Sequence, residues 1–426
     1  MSTLYYNETK LHQHRKAASM LKFLHISDIH LNSGFSNKNE MIRMKLKRAI
    51  KSSFEQAVEY TIEQNLEGLL VAGDMFDHEF ISYEDEKWLK AQLFKLLDNA
   101  QKIFYVTGNH DPMNTISFIR ELKASEYFYY IDSDEVQQFN LISRQAEPYR
   151  VIGVGHISKN EQRNLIQNFP LKHVDETWVG IAHASVPSAL SLSGKKDYMA
   201  TTLNQIELLN YDYFALGHIH VRQILSDRIA YSGNLQGLNI KETGFKGGLL
   251  ITLDRGQTHI EPVNFQNILW DDMDVEITLE IENVHDFEAL IMETILRKIE
   301  TAHVAAKNVI LRLNVKGQSH VKKSIQDITY FEERLKGETG ILDLEIRLDG
   351  LKLPKDVNAL RLEKTVLADV LNRIMFGNYE EELIEKIKKI KVFENETREE
   401  IQSKLKDMRD ELLDEAVERM VVNHDH

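Results

Sequence analysis

A chain of 426 residues is longer than one hydrophobic core usually organises, so two or three domains are expected. Its formal charge of −14 argues against a protein that coats nucleic acid with bulk positive charge, and any DNA contact has to be local. The absence of cysteine excludes disulfides, zinc–thiolate sites and thiol catalysis, leaving histidine and oxygen as ligands.

Residues 1–20 are polar and mixed in charge and are expected to form a disordered extension. They lack the apolar segment of a secretory signal, and no apolar run along the chain is long enough to cross a bilayer, which points to a cytoplasmic protein. Runs rich in β-branched and aromatic residues then predict strands at 23–26, 68–72, 103–106, 149–154, 178–181, 213–215, 229–231 and 248–253. Apolar residues at helical spacing predict helices at 41–64 and 82–99. Together these make residues 21–266 a layered α/β domain. From 267 to 355 the pattern changes to strands at 275–281, 309–315 and 342–348 alternating with helices at 287–300 and 330–335, which suggests a small mixed sheet with helices on one face. Residues 356–426 read as a charged helical region broken at Gly377 and near Asn395, with apolar residues at helical spacing over 382–390 and 401–422.

Five motifs carry chemistry, and each follows a predicted strand. They are Ser27-Asp28-Ile29-His30, Gly73-Asp74-Met75-Phe76-Asp77, Gly108-Asn109-His110-Asp111, Ile181-Ala182-His183 and Gly217-His218-Ile219-His220. Taken singly they say little, since an Asp-x-His pair arises by chance and Gly-Asn-His-Asp has the composition of a turn. In one order, each at a strand end, they point to a two-metal phosphoesterase site. Two divalent cations roughly 3.5–4 Å apart can activate one bridging water and screen the charge of an in-line phosphoryl displacement. Asp74, after a glycine at a strand end, is placed to reach both ions. Asp28 and His30, one residue apart on an extended segment, face the same side and suit a single metal. His218 and His220 repeat that spacing, each serving one metal, and Asn109 and His183 complete the shells. Imidazole, carboxylate and amide oxygen together favour manganese, iron or zinc over calcium or magnesium. His110 is placed to protonate a departing oxygen, and Asp77 to orient it.

On these motifs the chain resembles the calcineurin-like metallophosphoesterase superfamily and, within it, the SbcD-type DNA repair exonuclease family in its bacterial YhaO-like branch. Segment His30-Leu31-Asn32-Ser33-Gly34-Phe35 is similar to His-Leu-Asp-Ser-Pro-Phe of that branch, departing at Asn32 and Gly34. Tyr231-Ser232-Gly233-Asn234 and Glu242-Thr243-Gly244-Phe245-Lys246-Gly247 look like the loops that close the nuclease domain. The resemblance implies a four-layer α/β/β/α metallophosphoesterase sandwich over 21–266, a capping domain over 267–355 and a helical C-terminal region. It implies that Asp28, His30, Asp74 and His220 bind one metal and Asp74, Asn109, His183 and His218 the other, with Mn²⁺ the expected ion and His110 the catalytic histidine. Asp77 stands where the archaeal and eukaryotic nucleases have histidine. The implied activity is metal-dependent DNA phosphodiester hydrolysis, as an exonuclease in DNA repair. The implied partners are DNA, an SbcC-like coiled-coil ATPase held by the C-terminal helices, and a second copy of the chain.

DNA contacts have weaker candidates. Lys38, Arg43, Lys45, Lys47, Arg48 and Lys51 form a basic cluster that serves equally as a solvated helix face, and Lys195 and Lys196 follow His183 in a small-residue loop. Trp178 and the aromatic residues of 127–130 suit base stacking or a core. Two other functions fit the same residues: a phosphatase or cyclic-nucleotide phosphodiesterase, and a noncatalytic scaffold for an ATPase.

Overall fold

The structure, a computed structural model, describes residues 20–77, 81–113, 118–187, 197–325, 327–354, 397 and 399–400. Residues 1–19 of the expected extension, Lys195 and Lys196, and nearly all of the expected helical region lie outside these. The chain divides into two compact units, one drawn from Met1–Ile277, Asn283–Gly317 and Ser324–Leu351 and the other from Thr278–Glu282, Gln318–Lys323 and Lys352–His426. Within the second unit, Ser319 ties separate stretches together: its hydroxyl donates to the Ile281 carbonyl and its backbone N–H to the Lys352 carbonyl at 3.0 Å. Among the described residues, no helix is long and apolar enough to cross a membrane.

The first unit is built on parallel strands. β1 (Leu21–Ile26), β2 (Gly68–Ala72), β3 (Lys102–Val106) and β4 (Phe128–Ile131) pair in parallel. β5 (Gln137–Ile142), β6 (Pro148–Val154), β7 (Thr177–His183), β8 (Tyr213–Gly217), β9 (Gln223–Ser226) and β10 (Ile229–Tyr231) form a second sheet in the order β5-β6-β7-β8-β10-β9. Its central pairs, from β6 through β8 to β10, are also parallel. β11 (Gly247–Asp254) and β12 (Gln257–Asn264) then return to the first sheet as antiparallel strands beside β1, giving the order β12-β11-β1-β2-β3-β4.

The layers follow from alternation along these strands. Phe23, Leu70, Phe104 and Ile251 of one sheet meet Tyr149, Val179, Ile181, Tyr213 and Ala230 of the other in a buried cluster between the sheets. The alternate residues Leu24, Ile26, Leu69, Val71, Ile103 and Tyr105 face outward beneath α1 (Glu40–Glu63), α2 (Tyr83–Asp98) and the short α3 (Ile119–Leu122). On the far side, Val154, Trp178, Phe214 and Leu216 are covered by Leu165, Ile166 and α4 (Leu203–Leu208). The result is the α/β/β/α sandwich. Trp178 is fully buried, so the core reading of that residue holds and base stacking is not open to it.

Four strands had no signal in the apolar pattern. β5 and β12 are polar edge strands whose residues alternate between half-buried and exposed, so no hydrophobic run marks them. β4 overlaps the aromatic group of 127–130, and β9 is a four-residue edge strand.

Beyond β12, β13 (Leu269–Ile277) and β14 (Val309–Gln318) pair in parallel, and β15 (Asp343–Lys352) completes a three-stranded sheet in the order β13-β14-β15. α5 (Val284–Thr301) and α6 (Ile328–Thr339) bury Phe287, Ile291 and Ile295, and Phe331 and Leu335, respectively. The first strand starts six residues before the expected 275 and ends at Ile277, because Leu269 and Trp270 anchor it while residues 271–274 carry three aspartates that mask the alternation. α1 serves both sheets it touches. Asn39 caps it by accepting from the Ile42 N–H at 2.9 Å; Ile42, Leu46 and Ala49 then pack on Ile268, Trp270, Ile310 and Leu342, whereas Ile50, Phe54, Ala57 and Val58 pack on the first sheet.

Candidate metal centre

The motif residues meet at the carboxyl ends of β1, β2, β3, β7 and β8. Beyond their last residues β1 and β2 stay zipped together: the Asp28, His30 and Leu31 N–H groups donate to the carbonyls of Gly73, Asp74 and Met75 at 3.1, 3.1 and 2.9 Å. The backbone there is not extended, contrary to the expectation for Asp28-x-His30. Asp28 and His30 both have φ of 50°, Asp74 has 51° and His218 has 100°. Such left-handed residues are uncommon outside glycine, with Asp, Asn and His the best tolerated, and they concentrate at functional sites. Two glycines make room. Gly73, at φ 87°, leaves space for the His183 ring, and a Cβ on Gly217 would strike the Ala72 carbonyl that holds that ring.

Carboxylate and imidazole atoms converge in three overlapping sets: Asp28, His30 and His220; His30, Asp74 and His110; and Asp28, Asp74 and His183. Asp74 occupies the middle, its Oδ2 3.2 Å from His183 Nε2 and 3.8 Å from His30 Nε2. Asn109 joins through its Oδ1, 3.0 Å from His183 Nε2. His218 arrives by a different route. Its backbone N–H donates to both Asp28 carboxylate oxygens, at 3.2 and 3.1 Å, while its ring stands edge-on to His183 and Tyr198.

The tautomers of the histidines show whether the donor set suits a cation. His183 Nδ1 lies 2.9 Å from the Ala72 carbonyl, which only accepts, so the proton sits on Nδ1 and the Nε2 lone pair faces the oxygens of Asn109 and Asp74. His220 Nδ1 lies 2.9 Å from Glu242 Oε1 and His30 Nδ1 3.3 Å from Asp77 Oδ1, which leaves their two Nε2 atoms facing each other at 3.1 Å. Lone pairs brought this close repel unless positive charge lies between them. The same demand shows in His183: burial lowers its pKa, but Asp74 outweighs it and the ring is pushed up to about 9. The residues fit divalent metal ions, with His183 and His220 each oriented by a hydrogen-bond partner on the other ring nitrogen.

His110 borders this cluster without being buried in it. Its Nδ1 is 3.1 Å from Asp77 Oδ1, and this hydrogen bond, against the effect of burial, raises its pKa to about 9. Asp77 in turn is held well below the usual carboxylate range: burial pushes it up, but His110 and His30 outweigh that. Open cavities of about 470 Å³ lie on both sides of His110, one lined by His30, Phe35, Asn37, His220, Asn239 and Glu242 among others, the other by Asn109, Lys159, Asn160 and Tyr198.

Two carboxylates that the sequence reading left without a role organise the site. Asp111 Oδ1 accepts from the Gly108 and Asp74 N–H groups at 2.7 and 3.2 Å, and its Oδ2 from the Met75 N–H and the Tyr105 hydroxyl at 2.6 and 2.5 Å. It thereby ties the Asp74 and Asn109 loops into one piece. Glu242 backs His220. The signals were present, since Asp111 ends the Gly-Asn-His-Asp motif and Glu242 opens one of the domain-closing loops. Of the basic cluster, Lys38 pairs with Asp343 at 2.7 Å and Lys51 with Asp85, while Lys45, Lys47 and Arg48 are exposed on α1.

Fold and site together define a divalent-metal phosphoesterase domain. Residues 21–222 match the family model of the calcineurin-like phosphoesterases. The metallophosphoesterase YhaO of Bacillus subtilis is 27% identical over 284 residues, 64% of this chain and 67% of that protein. The DNA double-strand break repair protein Mre11 of Archaeoglobus fulgidus is 24% identical over 241 residues, 52% of each chain, so the match spans about half the length of that relative. Among solved structures, a dimetal phosphatase from Danio rerio aligns with 58% of this chain and 99% of its own at 14% identity and a TM-score of 0.33.

Proposed function

We propose that this protein hydrolyses phosphodiester bonds in DNA, working inward from an end, with two divalent ions, Mn²⁺ foremost, held by Asp28, His30, Asp74, Asn109, His183, His218 and His220. The observation that carries the chemistry is the convergence of the Asp28, Asp74, His30, His183 and His220 donor atoms beside His110, whose Nδ1 lies 3.1 Å from Asp77 Oδ1. What favours a polymer over a small monoester is the open cleft on both sides of His110, together with the similarity to Mre11 proteins.

The bound ions would supply Lewis-acid stabilisation of the phosphoryl charge and activation of the attacking water. The chain's own residues supply the rest. Asp77 holds the His110 Nδ1 proton and keeps the ring cationic, so the remaining nitrogen, Nε2, carries a proton for the oxygen that leaves phosphorus. The bond broken is that between phosphorus and the leaving 3′ oxygen, which departs as a hydroxyl with the His110 proton. Asp74 anchors the His110 main chain by accepting its backbone N–H at 2.9 Å.

The test is an assay on defined single- and double-stranded DNA ends with Mn²⁺. The wild-type protein is expected to shorten them, and His110→Ala to lower turnover by about 10²- to 10⁴-fold while still binding metal. A protein that spares DNA but hydrolyses a phosphomonoester would replace this reading with the phosphatase one. A variant with undiminished turnover would remove His110 from the chemistry.

A further inference from the structure

Glu242 lies in the loop between β10 and β11, outside all the motifs that supply the cluster, yet it is 5% exposed and four donors converge on its carboxylate. Oε1 accepts from His220 Nδ1 at 2.9 Å and from the Asn239 amide at 2.7 Å. Oε2 accepts from the Asn234 amide at 2.6 Å and from the Leu238 backbone N–H at 2.8 Å. The same loop grips the His220 backbone, because the Asn234 N–H and the Lys246 ammonium both donate to the His220 carbonyl, at 3.2 and 3.0 Å. His220 is therefore held at its ring and its main chain by one segment.

We infer that Glu242 is a positioning residue that sets the tautomer of His220, keeping its Nε2 lone pair directed at the place where His30 and Asp28 converge, and that the negative charge of Glu242 is indispensable to this. The inference rests on His220 being a metal ligand. Two of the donors around Glu242 cannot be reversed. The Leu238 N–H only donates, and the Asn234 amide nitrogen is committed as a donor because it also bonds the Gln236 carbonyl at 2.9 Å. An isosteric Gln at 242 has one oxygen to offer, and these two donors claim it. Its NH₂ group then faces His220 Nδ1, where a donor would meet a donor. The imidazole resolves this by moving its proton to Nε2, the nitrogen 3.1 Å from His30 Nε2, and the lone pair needed there is lost. Asn239, exposed and bonded to the same oxygen as His220, can turn aside and exerts no such constraint.

Two variants of the full chain separate this from a merely structural role. Nitrogen-15 NMR of the metal-free protein reads the tautomer, with the His220 signal assigned by its loss in His220→Ala, and calorimetric titration with Mn²⁺ counts and ranks the ions. In Glu242→Gln the His220 proton is expected on Nε2, one ion is expected to bind about 10- to 100-fold more weakly, and the metal-free unfolding midpoint should stay near that of the wild type. Asn239→Ala, which loosens the loop but spares the His220 contact, should keep the wild-type tautomer and both ions. Glu242→Gln with an unchanged tautomer and unchanged ion binding would overturn the inference, as would an Asn239→Ala variant that loses the ion equally. Wild-type protein that takes up no Mn²⁺ would instead overturn the metal reading on which the inference stands.

Discussion

Asp111 and Glu242 are both buried carboxylates with four donors, yet their loss should have opposite signatures. The four groups around Asp111 are three backbone N–H groups and a tyrosine hydroxyl, none of them a metal donor. Burial pushes its pKa up to about 6, which makes it a costly group to keep ionised and an unlucky one to replace, since an amide at that position would point NH₂ at N–H. Asp111→Asn is expected to lower stability by about 1.5–3 kcal/mol, the usual worth of hydrogen bonds to a charged group, read as a lower urea midpoint. An unchanged midpoint would mean the loops hold without it. The contrast also explains what could be read from the chain. Asp28, His30, Asp74, Asn109, His183, His218 and His220 stand out as residue types that hold metals, in motifs that end strands. The roles of Asp111 and Glu242 depend on which backbone N–H groups face them, and that is decided by how separate loops meet, which linear order does not display.

At the scale of elements, the loop from Gly233 to Lys246 does more than back His220, since it also carries the start of β13. Gln236 is fully buried, and its side chain accepts from the Asn267 and Ile268 N–H groups at 2.8 and 3.1 Å and donates to the Ile268 carbonyl at 2.7 Å. Trp270 Nε1 donates to the Gly237 carbonyl at 2.8 Å, and the Gly244 N–H donates to the Trp270 carbonyl at 3.3 Å. The metal cluster and the three-stranded sheet thus share one staple. Gln236→Ala would leave buried backbone groups without partners, at about 1–3 kcal/mol for each group left so. Faster hydrogen exchange is expected at 265–277 and in the loop itself, with β2 and β3 unaffected; exchange confined to residue 236 and its neighbours would show that the staple is not shared. The parallel core strands were legible because both of their faces are buried, giving short continuous apolar runs such as Gly68–Ala72. Polar edge strands such as β12, and the aspartate-rich middle of β13, give no such run, so the sheet margins and the start of β13 had to be seen in three dimensions.

The whole molecule carries a formal charge of −14, and two buried acids, Asp28 and Asp74, lie within the metal cluster. Burial alone would raise the pKa of both, but the surrounding histidines hold them ionised, so without a cation the folded state confines negative charge and converging lone pairs at the junction of both large sheets. Ions that bind there bind the native state only, because the donors come from β1, β2, β3, β7 and β8 and disperse on unfolding. Mass action then makes stability depend on metal: an ion at 100 times its dissociation constant adds about 2.7 kcal/mol per site. Chelation should accordingly lower the unfolding temperature, and graded return of Mn²⁺ should raise it again without saturating until both positions fill. The effect should shrink in Asp74→Asn, which weakens the shared carboxylate, and persist in His110→Ala, which lies at the margin of the cluster. A melting temperature indifferent to chelator in protein shown by elemental analysis to have carried metal would place the ions somewhere other than this junction.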